Sequence, residues 1–172
     1  ESGSEKILKN INKKATLYDN NRVIENCDRY GLKVKALMSI GHAGESEETV
    51  IDTFNWLIRV KPHDFDLTII TPYPGSPYYD ESIPYDLDNN IWVYEYNNDK
   101  LYMEDVNYLE TSDYYKGVPG IGYKSYVYTD YISSKQLVNF RDKIDDNCRK
   151  ILNISQPYLN TAIDYEHSMG MK

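Results

Sequence analysis

Asp66-Leu67-Thr68-Ile69-Ile70-Thr71-Pro72-Tyr73-Pro74-Gly75-Ser76-Pro77 is the stretch on which the fold turns. Its first half, Asp66 to Thr71, is a short apolar run of the kind that forms a buried strand. Its second half holds three of the chain's seven prolines. Proline fixes φ and has no N–H to donate, so a β-ladder cannot continue through this loop. A stiff, shaped loop is therefore expected at the carboxyl end of a parallel strand, which is where α/β folds place their ligands. Thr71 to Pro77 can act as a ligand wall or as a plain turn, and the residues alone favour neither.

Working back from that loop, two more bends precede helices. Glu1-Ser2-Gly3-Ser4 leads into a helix from Glu5, with Ser4 as its cap and Ile7, Leu8 and Ile11 on one face. Lys13-Lys14-Ala15 ends it. Thr16 and Asp19 have the spacing of a capping box, and Leu17, Val23, Ile24, Cys27 and Tyr30 then make an apolar stripe closed by Gly31. Leu32 to Ile40 is predicted to be a strand that rises from a solvated edge into a layer covered on both faces. The bend Gly41-His42-Ala43-Gly44-Glu45 comes next. Ser46 caps a third helix with Val50, Ile51, Phe54, Leu57 and Ile58 on one side, stopped by Pro62. Helices alternating with strands across short connections predict a right-handed βαβ unit with parallel strands. A strand ahead of Glu1 would complete the series. Glu1 stands inside what reads as a motif, so a preceding segment is expected.

After Tyr79 the character changes. Asp80 to Asn90 is polar and turn-forming, and Ile91–Tyr96 with Lys100–Asp105 read as a hairpin through Asn97-Asn98-Asp99. Gly117, Pro119, Gly120 and Gly122 suggest a loop, and Tyr123–Tyr131 a further strand. A long helix follows, capped by Ser133 or Ser134 and carrying Leu137, Val138, Ile144, Cys148, Ile151 and Leu152, with Pro157 ending it and residues 161–172 as a weak tail. Thirteen of the 18 tyrosines lie beyond residue 84. The chain is accordingly divided into residues 1–82 and a tyrosine-rich α+β region, residues 83–172.

With 172 residues, 41% hydrophobic and 27% charged, the chain is globular in character, and no apolar run approaches the ~20 residues that span a bilayer. The net charge of −8 argues against nucleic-acid binding, which needs clustered Lys and Arg. Lys6, Lys9, Lys13 and Lys14 form only a small basic patch. Cys27 and Cys148, the only cysteines, fall on apolar helical positions and read as buried reduced thiols. No C-x-x-C is present, so the chain has no cysteine set for an iron–sulfur cluster or structural zinc. No metal ligand or catalytic residue is assigned.

Chemistry belongs to the three bends. Free N–H groups at the helix behind Glu1–Ser4 can bind an anion, and the Glu1 carboxylate can accept from hydroxyls or an ammonium. A serine there can equally be just a cap. The glycines of the second bend let a ligand approach the backbone. It is not a Walker loop, since no Lys-Ser/Thr follows. His42 is expected to face solvent, because no partner His or Cys is spaced to make it a base or a metal ligand. Asp64 and Asp66, at the opposite strand end, read as solvated.

Taken in order, ESGSEKILKNINKKAT, YGLKVKALMSIGHAGESEET and DLTIITPYPGSPYY resemble the radical S-adenosylmethionine (SAM) superfamily, over residues 1 to about 80. The likeness is nearest to its cobalamin-associated and methylthiotransferase-like branches. It implies an α/β fold, the second half of a partial (β/α) barrel with parallel strands. By position it implies that Glu1, Ser2 and Ser4 lie at the ribose or methionine part of SAM. Met38, Ser39 and Gly41 would border the adenine, and Thr71, Pro72 and Tyr73 the adenine or substrate side. Ala43 departs from the family's usual proline. The larger departure is the absent C-x-x-x-C-x-x-C loop, without which no [4Fe–4S] cluster and no radical can form. The resemblance therefore implies a cytoplasmic radical SAM oxidoreductase or methyl(thio)transferase, cobalamin possible, of which this chain is a part inactive by itself. Its partners would be the missing first half of its barrel and an unknown substrate, with no membrane and no nucleic acid. An exposed sheet edge also predicts homo-oligomers, or a tail that covers the edge. The alternative is a stand-alone, non-catalytic α/β interaction module acting through residues 83–172.

Overall fold

The computed structural model describes residues 1–107 and 124–155. The elements, in chain order, are α1 (Glu5–Asn10), α2 (Leu17–Arg29), β1 (Lys35–Ile40), α3 (Glu47–Val60), β2 (Asp64–Ile69), α4 (Pro77–Asp80), β3 (Ile83–Asp86), β4 (Ile91–Tyr96), β5 (Asp99–Glu104), β6 (Val127–Tyr128) and α5 (Ser134–Leu152). The expected loop at 117–122, the end at Pro157 and the tail at 161–172 lie outside the described residues. The fold is mixed α/β: β1 and β2 pair in parallel, and β3-β4-β5-β6 form an antiparallel sheet.

Local signals set most helix ends. The Thr16 and Asp19 capping box closes in both directions, as do those of Ser46 with Thr49 and Ser133 with Gln136. Ser4 precedes α1 but makes no side-chain cap bond. At the end of α2, Gly31 takes φ 67°, while Gly31 N donates to Asp28 O at 3.1 Å and Leu32 N to Cys27 O at 2.8 Å. Both bonds define a Schellman motif, which satisfies two carbonyls the helix leaves unpaired.

The parallel pair runs in register from Lys35 against Asp64 to Ile40 against Ile69. β2 starts and ends two residues earlier than the sequence suggests. Ile70 N still reaches Ile40 O at 3.0 Å, but Pro72 has no N–H for a further rung. The sheet is covered on one face, not two. Ala36, Met38, Ile40, Phe65, Leu67 and Ile69 are buried, whereas Leu37 is 65% exposed and the other residues of the opposite face are polar. Each fully buried large side chain contributes roughly 1.5–3 kcal/mol.

The hairpin turns on two residues, Asn97 (φ 54°) and Asn98 (φ 65°), so Asp99 belongs to β5 and not to the turn. Two positive φ angles give the turn a hand that suits twisted strands. β3 was not legible in the polar run 80–90. Of the expected strand at 123–131, among the described residues 124–131 only Val127 and Tyr128 form strand, because Ser125 bonds Val127 at both N and O and Thr129 N turns back to Ile132 O. Tyrosines pack on each other: the Tyr102 ring lies 4.9 Å from Tyr85 and 4.8 Å from Tyr128. One cluster of buried side chains runs from Met38 and Leu57 through Tyr94, Leu101 and Val127 to Leu137 and Cys148, so both sheets and α5 share a core.

Helix α5 also closes the outer edge of β2. Parallel pairing turns every second residue of β2 outward, and two of those carbonyls receive arginines. Arg141 Nε donates to Leu67 O at 3.1 Å, and Arg149 Nη2 donates to Phe65 O at 2.9 Å. Asp145 holds Arg149 through Nε at 3.1 Å, with both side chains buried. On the other side of the sheet, Ser39 N donates to Glu1 O at 2.8 Å, and the outward backbone of Lys35 and Leu37 meets no strand among the described residues.

Candidate functional site

The polar face of the parallel pair sets Lys35, Leu37 and Ser39 against Asp64, Asp66 and Thr68. Lys35 Nζ sits 3.1 Å from Asp64 Oδ2 and 3.2 Å from Asp66 Oδ1. Partial burial works against its charge, but the two carboxylates outweigh this and hold Lys35 above the ordinary lysine value. Asp64 and Asp66 are thus ion-paired, not simply solvated. Arg149 Nη1 adds a contact to Asp64 at 3.4 Å.

At the carboxyl end of this face the three bends meet. His42 is 6% exposed, contrary to the expected solvent-facing ring. Its Nε2 lies 2.8 Å from Ser39 Oγ, and its Nδ1 lies 3.0 Å from the Tyr78 hydroxyl. Burial lowers the imidazole pKa to about 4, so the ring is neutral near pH 7 and one nitrogen accepts while the other donates. Tyr78, four residues beyond Pro74 and on α4, brings the third bend to the second. Burial raises its pKa above the ordinary phenol value, and its ring packs edge-on against Tyr94 at 4.9 Å. Glu1 brings in the first bend through its carbonyl on Ser39 N, and its carboxylate meets Lys13 Nζ at 2.7 Å. Burial acts to raise the Glu1 pKa, but the Lys13 ammonium more than offsets it.

The second bend is built around a carboxylate that the sequence did not single out. Glu45 is fully buried and accepts from Gly41 N at 3.0 Å, from His42 N at 3.4 Å and from Thr49 Oγ1 at 2.6 Å. Burial nevertheless pushes its pKa up to about 7. The x-x-G-E-S text suggests only a helix start. What it does not carry is the fold-back of Glu45 onto its own turn.

The two glycines of this bend serve the chain's own packing. A Cβ at Gly41 would meet Val127 Cγ2 at 3.0 Å, and one at Gly44 would meet the Asp99 carboxyl carbon at 2.5 Å. Asp99 is held there by Lys6 Nζ at 3.0 Å and Asn10 Nδ2 at 2.8 Å, which also donate to Gly44 O and Ala43 O. Gly3 is equally constrained, since a Cβ would lie 2.6 Å from Thr53 Cα.

Of the residues singled out in the sequence, Glu1, Ser39 and Gly41 come together at this rim. Ser2 and Ser4 are buried, and the Ser2 hydroxyl is engaged by Thr53 Oγ1 and Ser4 N. Met38 points into the helix-covered core. Thr71, Pro72 and Tyr73 follow β2, with Pro72 buried and Tyr73 43% exposed. Two hollows flank the rim. One, of about 170 Å³, lies along the open side of β1 between Glu1, Val23, Met38 and Trp56. The other, of about 60 Å³, lies between the proline loop and the antiparallel sheet.

The chain matches no protein-family model and no curated protein. Among the described residues no group of three His, Cys, Asp or Glu side chains is arranged to hold a metal ion, and no helix is long and apolar enough to cross a membrane. Cys27 is half-buried, and Cys148 is buried with its thiol pushed up to about 12 by desolvation.

Proposed function

We propose that the chain is the part of a radical SAM protein that follows the cluster loop. In this reading residues 1–82 supply the later β/α modules of a partial barrel, and residues 83–172 cover its mouth on the substrate side. The supporting observation is the Ser39 N to Glu1 O bond, which sets the Glu1–Ser4 bend beside β1 where a further parallel strand would end. The parallel register of β1 and β2 and the Ser39–His42–Tyr78 chain, which draws the three bends together, are consistent with it.

The residues present do not fit a [4Fe–4S] cluster, because two cysteines on separate helices cannot supply three thiolates. No catalytic step is assigned to this chain. Toward SAM, the Glu1 carboxylate and the half-buried Ser39 hydroxyl are groups at the carboxyl end of the polar face able to accept or donate. SAM bound to a reduced cluster in the intact protein would supply the radical chemistry, and cobalamin would be a further cofactor of that protein. The test is anaerobic expression of this chain fused to the segment encoded ahead of Glu1, with iron, sulfide and SAM cleavage measured. Cluster content and 5′-deoxyadenosine support the proposal. A fused protein with neither iron nor SAM affinity overturns it.

One observation favours a second reading, a non-catalytic interaction module. Val127 and Asp99 close directly on Gly41 and Gly44, so this part of the rim is filled by the chain itself. Titration calorimetry with SAM separates the two, since a module of this kind shows no heat of binding in any form.

A further inference from the structure

The smaller hollow lies beside the proline loop, and Pro72, Tyr79, Trp92, Met103, Glu104 and Asp105 line it. Its volume of about 60 Å³ is several times the ~10–15 Å³ that admits one water, which corresponds to about four or five non-hydrogen atoms. The walls are mostly apolar and include an indole and a phenol. The Trp92 indole N–H finds no acceptor among the described residues. That ring is held by its packing against the core.

Charge decides what such a site prefers. Among the described residues Glu104 has one cationic partner, Lys124, at 3.4 Å, and both side chains are about half exposed, a pairing worth little. Lys124 also lies 4.4 Å from the centre of the Tyr126 ring, so it keeps a favourable position when Glu104 turns to another cation. A lining that combines aromatic residues with two acidic ones attracts an organic cation whose methyl groups fill the apolar space. An anion is excluded by the same carboxylates, and a neutral group gains only the apolar contact.

We propose that this hollow binds a small methylated ammonium group. The inference does not depend on the radical SAM reading. The probe is tetramethylammonium chloride, with tert-butanol as a neutral molecule of the same number of non-hydrogen atoms, both at fixed ionic strength. Saturation-transfer NMR on the whole chain reads the methyl protons of each. Saturable transfer to tetramethylammonium, with affinity about tenfold above that of tert-butanol, is the expected result. Glu104→Gln should weaken the cation several-fold and leave tert-butanol unchanged. Equal affinity for the two probes, or no saturable transfer to the cation, overturns the proposal. If Glu104→Gln fails to fold by circular dichroism, the comparison on the unaltered chain decides alone.

Discussion

His42 and Glu45 are neighbours in one bend, both wholly buried, and burial moves their ionisation in opposite directions. His42 drops from 6.5 to about 4, so the folded state resists taking its proton. The stability it contributes is complete above 6.5 and is lost as pH falls toward 4. Glu45 rises from 4.5 to about 7, so the stability linked to it is complete below 4.5 and is lost as pH rises through 7. These two groups therefore give a stability maximum between about pH 5 and 6.5, measurable as melting temperature against pH. Glu45→Gln keeps an acceptor for Gly41 N, and its amide can donate to Thr49 Oγ1 where the carboxylate accepts from it; it should flatten the alkaline side only. Gly44→Ala tests the neighbouring position. With φ at 80° and the Asp99 carboxyl 2.5 Å from the new Cβ, it should cost about 2–4 kcal/mol in urea unfolding, strain and overpacking combined. At this scale the sequence suggested that the glycines let a ligand approach the backbone, whereas the space beside them is taken by the chain's own side chains. Their neighbours, Asp99 and Val127, come from 55 and 86 residues further along the chain.

Among the elements, those whose ends are written locally were readable. Thr16 with Asp19, Ser46, Gly31 and Pro62 each act within a turn of their own helix, so α2 and α3 could be placed from sequence. Strand length was less legible, because the ladder depends on a partner. β3 was hidden in a polar run, and it pairs because β4 offers it an edge. The task of α5 was not legible at all. Its apolar stripe announces a core helix, but nothing in the stripe says that Arg141 and Arg149 reach the carbonyls of β2. Arg149→Ala would leave Asp145 buried without its partner, and Phe65 O without a donor. The expected loss is about 3–5 kcal/mol in chemical denaturation. Arg149→Lys should recover little of it, since an ammonium on a single point cannot reproduce the fork that spans Asp145 and Phe65 O.

At the scale of the whole molecule, α5 covers the β2 edge of the parallel pair, and among the described residues no strand covers the β1 edge. Along the outer edge of β1, among the described residues, only Ser39 N has a backbone partner, and Leu37 and Val23 leave apolar surface beside the hollow at Trp56. Sedimentation of the chain alone should therefore show self-association, and Leu37→Lys, a charge on the open strand, should shift it to monomer without lowering its melting temperature. A chain that is monomeric at high concentration before the substitution would contradict this.

The arginines on β2 carry a consequence for growth. A sheet polymerises only if each added copy presents a fresh edge. Here the far side of the pair already has Phe65 O and Leu67 O engaged, and the antiparallel sheet ends in a strand bearing Pro84, which has no N–H to donate. Among the described residues of the parallel pair, β1 is the bare margin, and joining through it uses that margin up in each copy. Association should stop at two chains, and prolonged incubation should give neither thioflavin-positive fibrils nor larger species.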